Sequence, residues 1–266
     1  MPLHIGVLAL QGAFHEHLVL LRQSAAILAK SQSHDFTFAE VRTPTDLAQC
    51  DALVLPGGES TTMSFVAAQS GLLEPLRDFV KVKRKPAWGT CAGLILLAES
   101  ANRTKATGQE LIGGLDVRVN RNHFGRQTES FEAELDLPFL GKKDGGGQRF
   151  RSVFIRAPVV EQLLDQQPGK EQDIVDNSVV APSKQPAAES GYVDGKHRVE
   201  VLARLPGRAR ALRDREVTAK DLGEDGDIVA VRQGNVVGTS FHPELTGDPR
   251  IHVWWLEQVA AAHETR

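Results

Sequence analysis

Three residues stand out for what their types could do together: Cys91, His242 and Glu244. Cys91 lies in PAWGTCAGLILLAES, a strand-like PAW followed by small residues and then an apolar helical pattern. Small residues on both sides permit a tight strand-to-helix elbow that presents the thiol. A helix beginning at that thiol would favour the thiolate through its positive N-terminal end. A thiolate nucleophile needs a base, and GTSFHPELTGD, far downstream, supplies His242 with Glu244 two positions on. If that stretch is extended, as Pro243 would encourage by fixing its own backbone angle, residues i and i+2 face the same side. His242 would then exchange a proton with Cys91 while Glu244 holds the far ring nitrogen. Attack on a carbonyl carbon through a covalent intermediate is the chemistry such a set performs. Alone, Cys91 reads as well as a buried structural thiol, and His242 as a structural histidine closing a strand. The elbow, the base and the acid together favour catalysis.

A second group is LVLPGGESTT. Adjacent glycines after a strand let backbone N–H groups approach a ligand, and Ser60 or Thr61 could cap the helix that follows. Such a turn can supply one oxyanion donor at Gly58, with the N–H of Ala92 as the second. Taken alone, the same glycines also suit a plain strand-to-helix turn. Cys50, just before a strand, reads as structural.

The elements that must position these residues alternate along the first hundred positions. Strand patterns at His4–Leu10, Phe36–Val41, Ala52–Leu55 and Pro86–Gly89 are interleaved with helical patterns at Glu16–Lys30, Ser60–Gln69 and Ala92–Ser100. Alternation of this kind predicts an α/β fold, a mostly parallel central sheet with helices on both faces. Ligands of such sheets bind at the carboxyl ends of strands, so the Gly57-Gly58 turn and the Cys91 elbow should face one site. Beyond Leu111 the pattern is strand-rich: 116–120, 130–135, 152–156, 199–205, 228–233 and 236–241. A last helix over 249–263 would dock through Trp254, Trp255, Leu256 and Val259. Stretches 141–149, 166–198 and 206–226, rich in Gly, Pro, Gln or dense opposite charges, read as surface insertions on a single domain spanning 1–266.

Composition excludes several classes. Net charge is −3 over 266 residues, with both signs mixed along the chain, which leaves no electrostatic footprint for nucleic acid or a membrane surface. Two cysteines are too few for a disulfide framework and fit a reducing compartment. The opening MPLHIGVLALQG lacks the pattern of an export signal and leads into a strand, so a cytoplasmic protein is expected. No zinc-type ligand spacing is visible, and the chemistry requires neither metal nor organic cofactor.

Cys91 on an elbow with HPE downstream resembles the class I, triad-type glutamine amidotransferases, whose fold is flavodoxin-like. The finer text is similar to one branch of them, the glutaminase subunits of pyridoxal 5′-phosphate synthase. GVLALQG (6–12), LPGGESTTM (55–63), WGTCAGL (88–94), RNHFGRQTESFEA (121–133), VFIRAP (153–158) and FHPELT (241–246) stand in that branch's order. The three insertions go beyond its compact bacterial pattern and resemble longer eukaryotic forms. The resemblance implies hydrolysis of L-glutamine to glutamate and ammonia through a Cys91 thioester. It further implies that ammonia passes to a barrel-shaped synthase subunit in vitamin B6 biosynthesis. By residue-for-residue match, Gly57, Gly58, Glu59, Arg121, Ile155 and Arg156 would bind glutamine, and Gln11 would sit at the partner interface. Arg121 suits the substrate carboxylate and Glu59 its ammonium. His15, His17 and His123 receive no role. An amidotransferase serving another acceptor shares every catalytic residue, and GGESTT and RNHFGRQ argue against it. A silent subunit that only stabilises the synthase, or a general cysteine hydrolase, completes the set of rivals.

Overall fold

The computed structural model describes residues 2–30, 34–102, 109–121, 130–141, 149–164, 178–187, 197–205 and 226–265. Five parallel strands form its centre, in the order β2 (Phe36–Val41), β1 (Leu3–Leu8), β3 (Ala52–Leu55), β4 (Ala87–Thr90) and β13 (Val236–Thr239). Every second side chain points to the same face. Leu3, Ile5 and Val7 of β1, Ala52 and Val54 of β3 and Trp88 of β4 therefore join one core. Leu8, Leu53, Leu55 and Ala87 join the other. Helices α1 (Phe14–Leu28) and α6 (Arg250–Glu264) cover the first face, the latter through Trp254, Trp255, Leu256 and Val259, as expected. On the second face lie α3 (Ser60–Gln69), α4 (Leu73–Arg77) and α5 (Ala92–Leu97). Strands buried on both faces read as the continuous apolar runs seen in the sequence.

The strand-rich part of the chain extends the sheet on the far side of β13. There β12 (Asp227–Gln233) runs antiparallel to β13 and to β11 (Glu200–Leu205). Beyond it follow β9 (Val159–Leu163), β6 (Leu115–Asn120), β5 (Ala98–Asn102) and β10 (Ser178–Val180). A separate antiparallel ribbon pairs β7 (Ser130–Leu135) with β8 (Phe150–Ile155).

Several elements depart from expectation. The helix after Cys91 ends at Leu97 and not at Ser100, because Ala98 turns extended and leads β5 into register with β6. An apolar run of that length suits helix or strand equally, so pairing decides. The short α2 (Pro44–Ala48) was not anticipated, although Thr43 and Asp46 form a reciprocal capping box around it. Part of the stretch expected as insertion 166–198 belongs to the sheet edge. Ser178–Val180 pairs with β5, and Lys184 forms ion pairs with Glu74 at 2.8 Å and Asp78 at 2.6 Å. Of that stretch 166–177 and 188–196 lie outside the described residues, as do nearly all of 141–149 and 206–226. No helix among the described residues is long and apolar enough to cross a membrane.

Close backbone approach fixes where α5 sits. A Cβ at Gly93 would lie 2.0 Å from the carbonyl oxygen of Leu55, and one at Gly89 would lie 2.3 Å from the carbonyl carbon of Gly93. Only glycine lets α5 press against β3 and β4 this tightly. Gly93→Ala is expected to cost about 2–3 kcal/mol of stability through overpacking against rigid backbone, read as a lower midpoint in urea with unchanged slope.

Candidate active site

Strand register brings the candidate residues to one edge. In the parallel centre Leu55 pairs with Gly89, and Gly89 and Thr90 pair with Gly238 and Thr239. The segments leaving β3, β4 and β13 therefore emerge side by side at the carboxyl ends, carrying the Gly57-Gly58 turn, Cys91 and His242 respectively.

Cys91 is the residue between β4 and α5, at φ 48° and ψ −102°. A non-glycine residue there is strained, at a cost of about 1–3 kcal/mol, and is held by its surroundings. Its N–H donates to Thr239 O at 2.8 Å, which ties the elbow to β13. Helix α5 is only six residues long, so its contribution at the thiol comes from the free N–H groups of its first turn, Ala92 included. The thiol is buried and lies close enough to the His242 ring to raise that ring's pKa. It also lies 3.8 Å from the carbonyl oxygen of Ile155, at the end of β8.

His242 has φ −107° and ψ 83°, with its N–H bonded to Val153 O at 2.8 Å. The expected extended stretch does not form. Pro243–Leu245 form a single tight 3-10 turn, with proline in its first position, where the missing N–H costs nothing. The turn, and not a strand-like i, i+2 alignment, brings Glu244 Oε1 to 2.7 Å from His242 Nδ1. Burial disfavours the imidazolium, but hydrogen bonds and charge at Cys91 and Glu244 outweigh it and raise the His242 pKa to about 10. Glu244 is 4% exposed, and burial opposes its charge. Nearby His17 and the bond from His242 nonetheless hold its pKa below the usual value. The three side chains thus stand in series as thiol, imidazole and carboxylate.

The glycine turn backs onto the same ring. A Cβ at Gly57 would sit 2.3 Å from His242 Cε1, so a larger residue there would displace the imidazole. Gly12 (φ 84°) packs under the turn, where a Cβ would fall 1.7 Å from Gly57 O. Gln11 Oε1 accepts the N–H of Glu59 at 3.1 Å, fastening the segment after β1 to the turn. The cap of α3 is Glu59, not Ser60 or Thr61. Its carboxylate accepts Thr61 N at 3.3 Å and Thr62 N at 2.7 Å. Although desolvation opposes it, these bonds and the Thr62 hydroxyl hold the Glu59 pKa low. Ser60 and Thr61 instead receive Arg121, whose Nη2 donates to their hydroxyl oxygens at 3.0 and 2.9 Å. Those hydroxyls donate in turn to Gln109 Oε1. Arg121 Nη2 is 4.0 Å from Glu59 Oε1, and burial lowers its pKa against the opposing pull of that carboxylate. Ile155 is half-buried beside Cys91, whereas Arg156 is exposed with φ 45°. His123 lies outside the described residues.

One neighbour was missed. His17, given no role from the sequence, is fully buried with Nε2 3.3 Å from Glu244 Oε2. Its signal was available: residues 17, 21, 24 and 28 recur at helical spacing and form the buried stripe of α1. His15 is exposed and plays no part. Cys50 is buried and free, its thiol pushed up to about 11 by burial, which fits a structural residue. Among the described residues no group of three or more His, Cys, Asp and Glu is placed to hold a metal.

Comparison with known proteins identifies the family. Residues 7–191 and 187–261 match the SNO glutamine amidotransferase family. The chain belongs to that family. A relative from Arabidopsis thaliana, named a probable pyridoxal 5′-phosphate synthase subunit, is 41% identical over 253 residues, 95% of this chain and 84% of its own. One from Streptomyces avermitilis, a pyridoxal 5′-phosphate synthase subunit, is 41% identical over 257 residues, 97% of this chain and 94% of its own. A solved glutamine amidotransferase superposes with a TM-score of 0.62 at 35% identity, covering 96% of this chain and 98% of that one.

Cys91 and His242 make one electrostatic unit. Because Cys91 raises the His242 pKa, Cys91→Ala should lower it from about 10 toward the ordinary imidazole value of about 6.5, read by NMR titration of labelled histidine. The sign extends to stability. A pKa raised by folding stabilises the native state fully below the unfolded value, and that contribution disappears as pH rises through the folded one. Wild type should lose its margin over Cys91→Ala between about pH 6.5 and 10.

Proposed function

We propose that this chain is the glutaminase subunit of a pyridoxal 5′-phosphate synthase, in which Cys91, His242 and Glu244 hydrolyse L-glutamine. The observation that carries the reading is the juxtaposition of three residues beside the Gly57-Gly58 turn: His242 Nδ1 is 2.7 Å from Glu244 Oε1, and Cys91 is near enough to the same ring to raise its pKa. Membership of the SNO family and the near-complete overlap with synthase subunits support it.

In this reading Cys91 Sγ attacks the side-chain amide carbon of glutamine. The carbonyl oxygen becomes an oxyanion, received by the N–H groups of Gly58 and Ala92. Collapse of this intermediate breaks the C–N bond as His242, held protonated by its neighbours, gives its proton to the departing nitrogen. Ammonia leaves and a thioester to Cys91 remains. His242, now neutral, takes a proton from water, whose hydroxide attacks the thioester and releases glutamate and the thiolate. Glu244 keeps the ring oriented and compensates its charge throughout. Arg121 would pair with the substrate carboxylate and Glu59 with its ammonium, while Ile155 and Arg156 would wall the other side of the thiol. No metal or organic cofactor enters these steps.

Ammonia released into solution is lost to synthesis, so the partner is expected to be the barrel-shaped synthase subunit and to govern turnover. Gln11 is the candidate for transmitting the contact, because its amide holds the N–H of Glu59 next to Gly58. A partner preferring the productive turn by ~2–3 kcal/mol would raise turnover several tens-fold. Two free cysteines support a cytoplasmic setting.

Two measurements test this reading. A glutamine-analogue alkylator should add to Cys91 alone in intact-mass and peptide analysis, and labelling of Cys50 would contradict the assignment. In a glutamate-release assay the chain alone should be slow and should accelerate on adding the barrel subunit. Cys91→Ala should be inactive, and Gln11→Ala should lose more of the stimulated rate than of the basal rate. Full turnover without the partner would instead indicate a free-standing amidohydrolase.

A further inference from the structure

Behind the triad lies a second, wholly buried polar series with no place in the mechanism above. His17 on α1, His252 on α6 and Thr90 at the end of β4 have no solvent exposure. His17 Nδ1 is 3.0 Å from His252 Nε2, and its Nε2 is 3.2 Å from Thr90 Oγ1. The same Nε2 is 3.3 Å from Glu244 Oε2, the oxygen that His242 does not use. That oxygen makes no aligned hydrogen bond among the described residues. The Trp88 ring meets both imidazoles edge-on, at 5.5 Å for His17 and 4.9 Å for His252, and holds them in place.

The protonation pattern follows from these contacts. Burial lowers the pKa of both histidines, His252 well below the ordinary value, with Glu244 opposing the effect at His17. Each is therefore neutral and carries one ring proton. A proton on His17 Nδ1 would turn a bare lone pair at Nε2 toward a carboxylate oxygen, which is repulsive. The proton therefore sits on Nε2, between Thr90 and Glu244, and Nδ1 accepts from His252 Nε2. His252 Nδ1 is then a lone pair without a hydrogen bond among the described residues. A neutral donor at this position steadies a carboxylate without cancelling its charge, whereas a cation would compete with His242 for it.

We infer that His17 is a positioning residue for the reaction: its Nε2, set by His252 and Thr90 and 3.3 Å from the second oxygen of Glu244, steadies that oxygen electrostatically so that the first stays on His242. The inference rests on the glutaminase reading. Donors placed behind a reacting group in this way fix its tautomer and rotamer. The site is thus a series running from Cys91 through His242 and Glu244 to His17 and His252, joining the sheet edge to the two helices on its far face.

The test compares two polar replacements with different reach. The amide nitrogen of Gln can occupy the place of imidazole Nε2, while that of Asn reaches only the place of Nδ1. Glutamate release is measured on the full chain with the barrel synthase subunit for wild type, Cys91→Ala, His17→Gln, His17→Asn, Glu244→Gln and the His17→Asn/Glu244→Gln pair. His17→Asn should lower kcat about 10- to 100-fold with KM nearly unchanged, because geometry and not substrate binding is lost. His17→Gln should recover most of that loss, and adding His17→Asn to Glu244→Gln should cost nothing further, since His17 acts through Glu244. Unchanged kcat in folded His17→Asn, equal loss in both His17 variants, or multiplying losses in the pair would each overturn the inference. Should His17→Asn not fold, His17→Phe takes its place with the same expectations. Wild type that releases no glutamate overturns the glutaminase reading and this inference together. An active wild type with indifferent His17 variants overturns this inference alone.

Discussion

A carboxylate buried at the heart of the molecule sets the terms for the site. Glu244 is 4% exposed, and a charge removed from water survives only with partners in good geometry. One oxygen has the His242 ring at 2.7 Å and the other has His17 at 3.3 Å. This places a requirement on three separate parts of the chain. The segment after β13 must turn sharply, α1 must bring a histidine inward on its buried stripe, and α6 must supply His252 behind it. The imidazolium of His242 is the positive half of the arrangement, which is why its pKa rises despite burial.

A second constraint is steric and acts through backbone. The site is assembled by chain segments packed too closely for side chains: Gly93 against Leu55 O, Gly12 against Gly57 O and Gly57 against the His242 ring. Such contacts make a rigid frame that can hold Cys91 in its strained conformation, because no neighbour has room to relax. The ribbon β7–β8 closes the frame from the other side, taking the His242 N–H on Val153 and placing Ile155 over the thiol. The turn bearing Gly58 is less enclosed. Gly58 is exposed and has φ 156°, a backbone conformation that glycine adopts at no steric cost.

Much of this was legible in the residues. Alternating apolar runs and helical patterns gave the parallel centre, because strands buried on both faces must be continuously apolar and helices covering them amphipathic. Cys91 was legible because small residues crowd around one thiol between a strand and a helix. Less legible was how each piece is built. Glu59 caps α3, where serine or threonine was the natural choice, because those two hydroxyls are engaged with Arg121 and Gln109. Glu244 meets His242 through a tight turn, since a two-residue spacing is compatible with both a strand and a turn.

The sequence by itself determined the cast: a thiol on an elbow, a histidine with a nearby acid, a permissive glycine turn and a two-faced sheet. These follow from local rules, in which residue type and short spacing decide what a segment can do. Only tertiary structure decided which strands lie side by side and therefore that Cys91 and His242 meet at all. Register between β4 and β13 has no signature in either segment, because a parallel pairing depends on what the intervening chain allows. It likewise decided that Ala98–Asn102 is a strand, that Ser178–Val180 joins the sheet edge, and that His17 and His252 touch. An imidazole on the buried stripe of a helix is visible in a sequence. Its partner, more than two hundred residues away on another helix, becomes its neighbour only when both helices pack on the same face of one sheet.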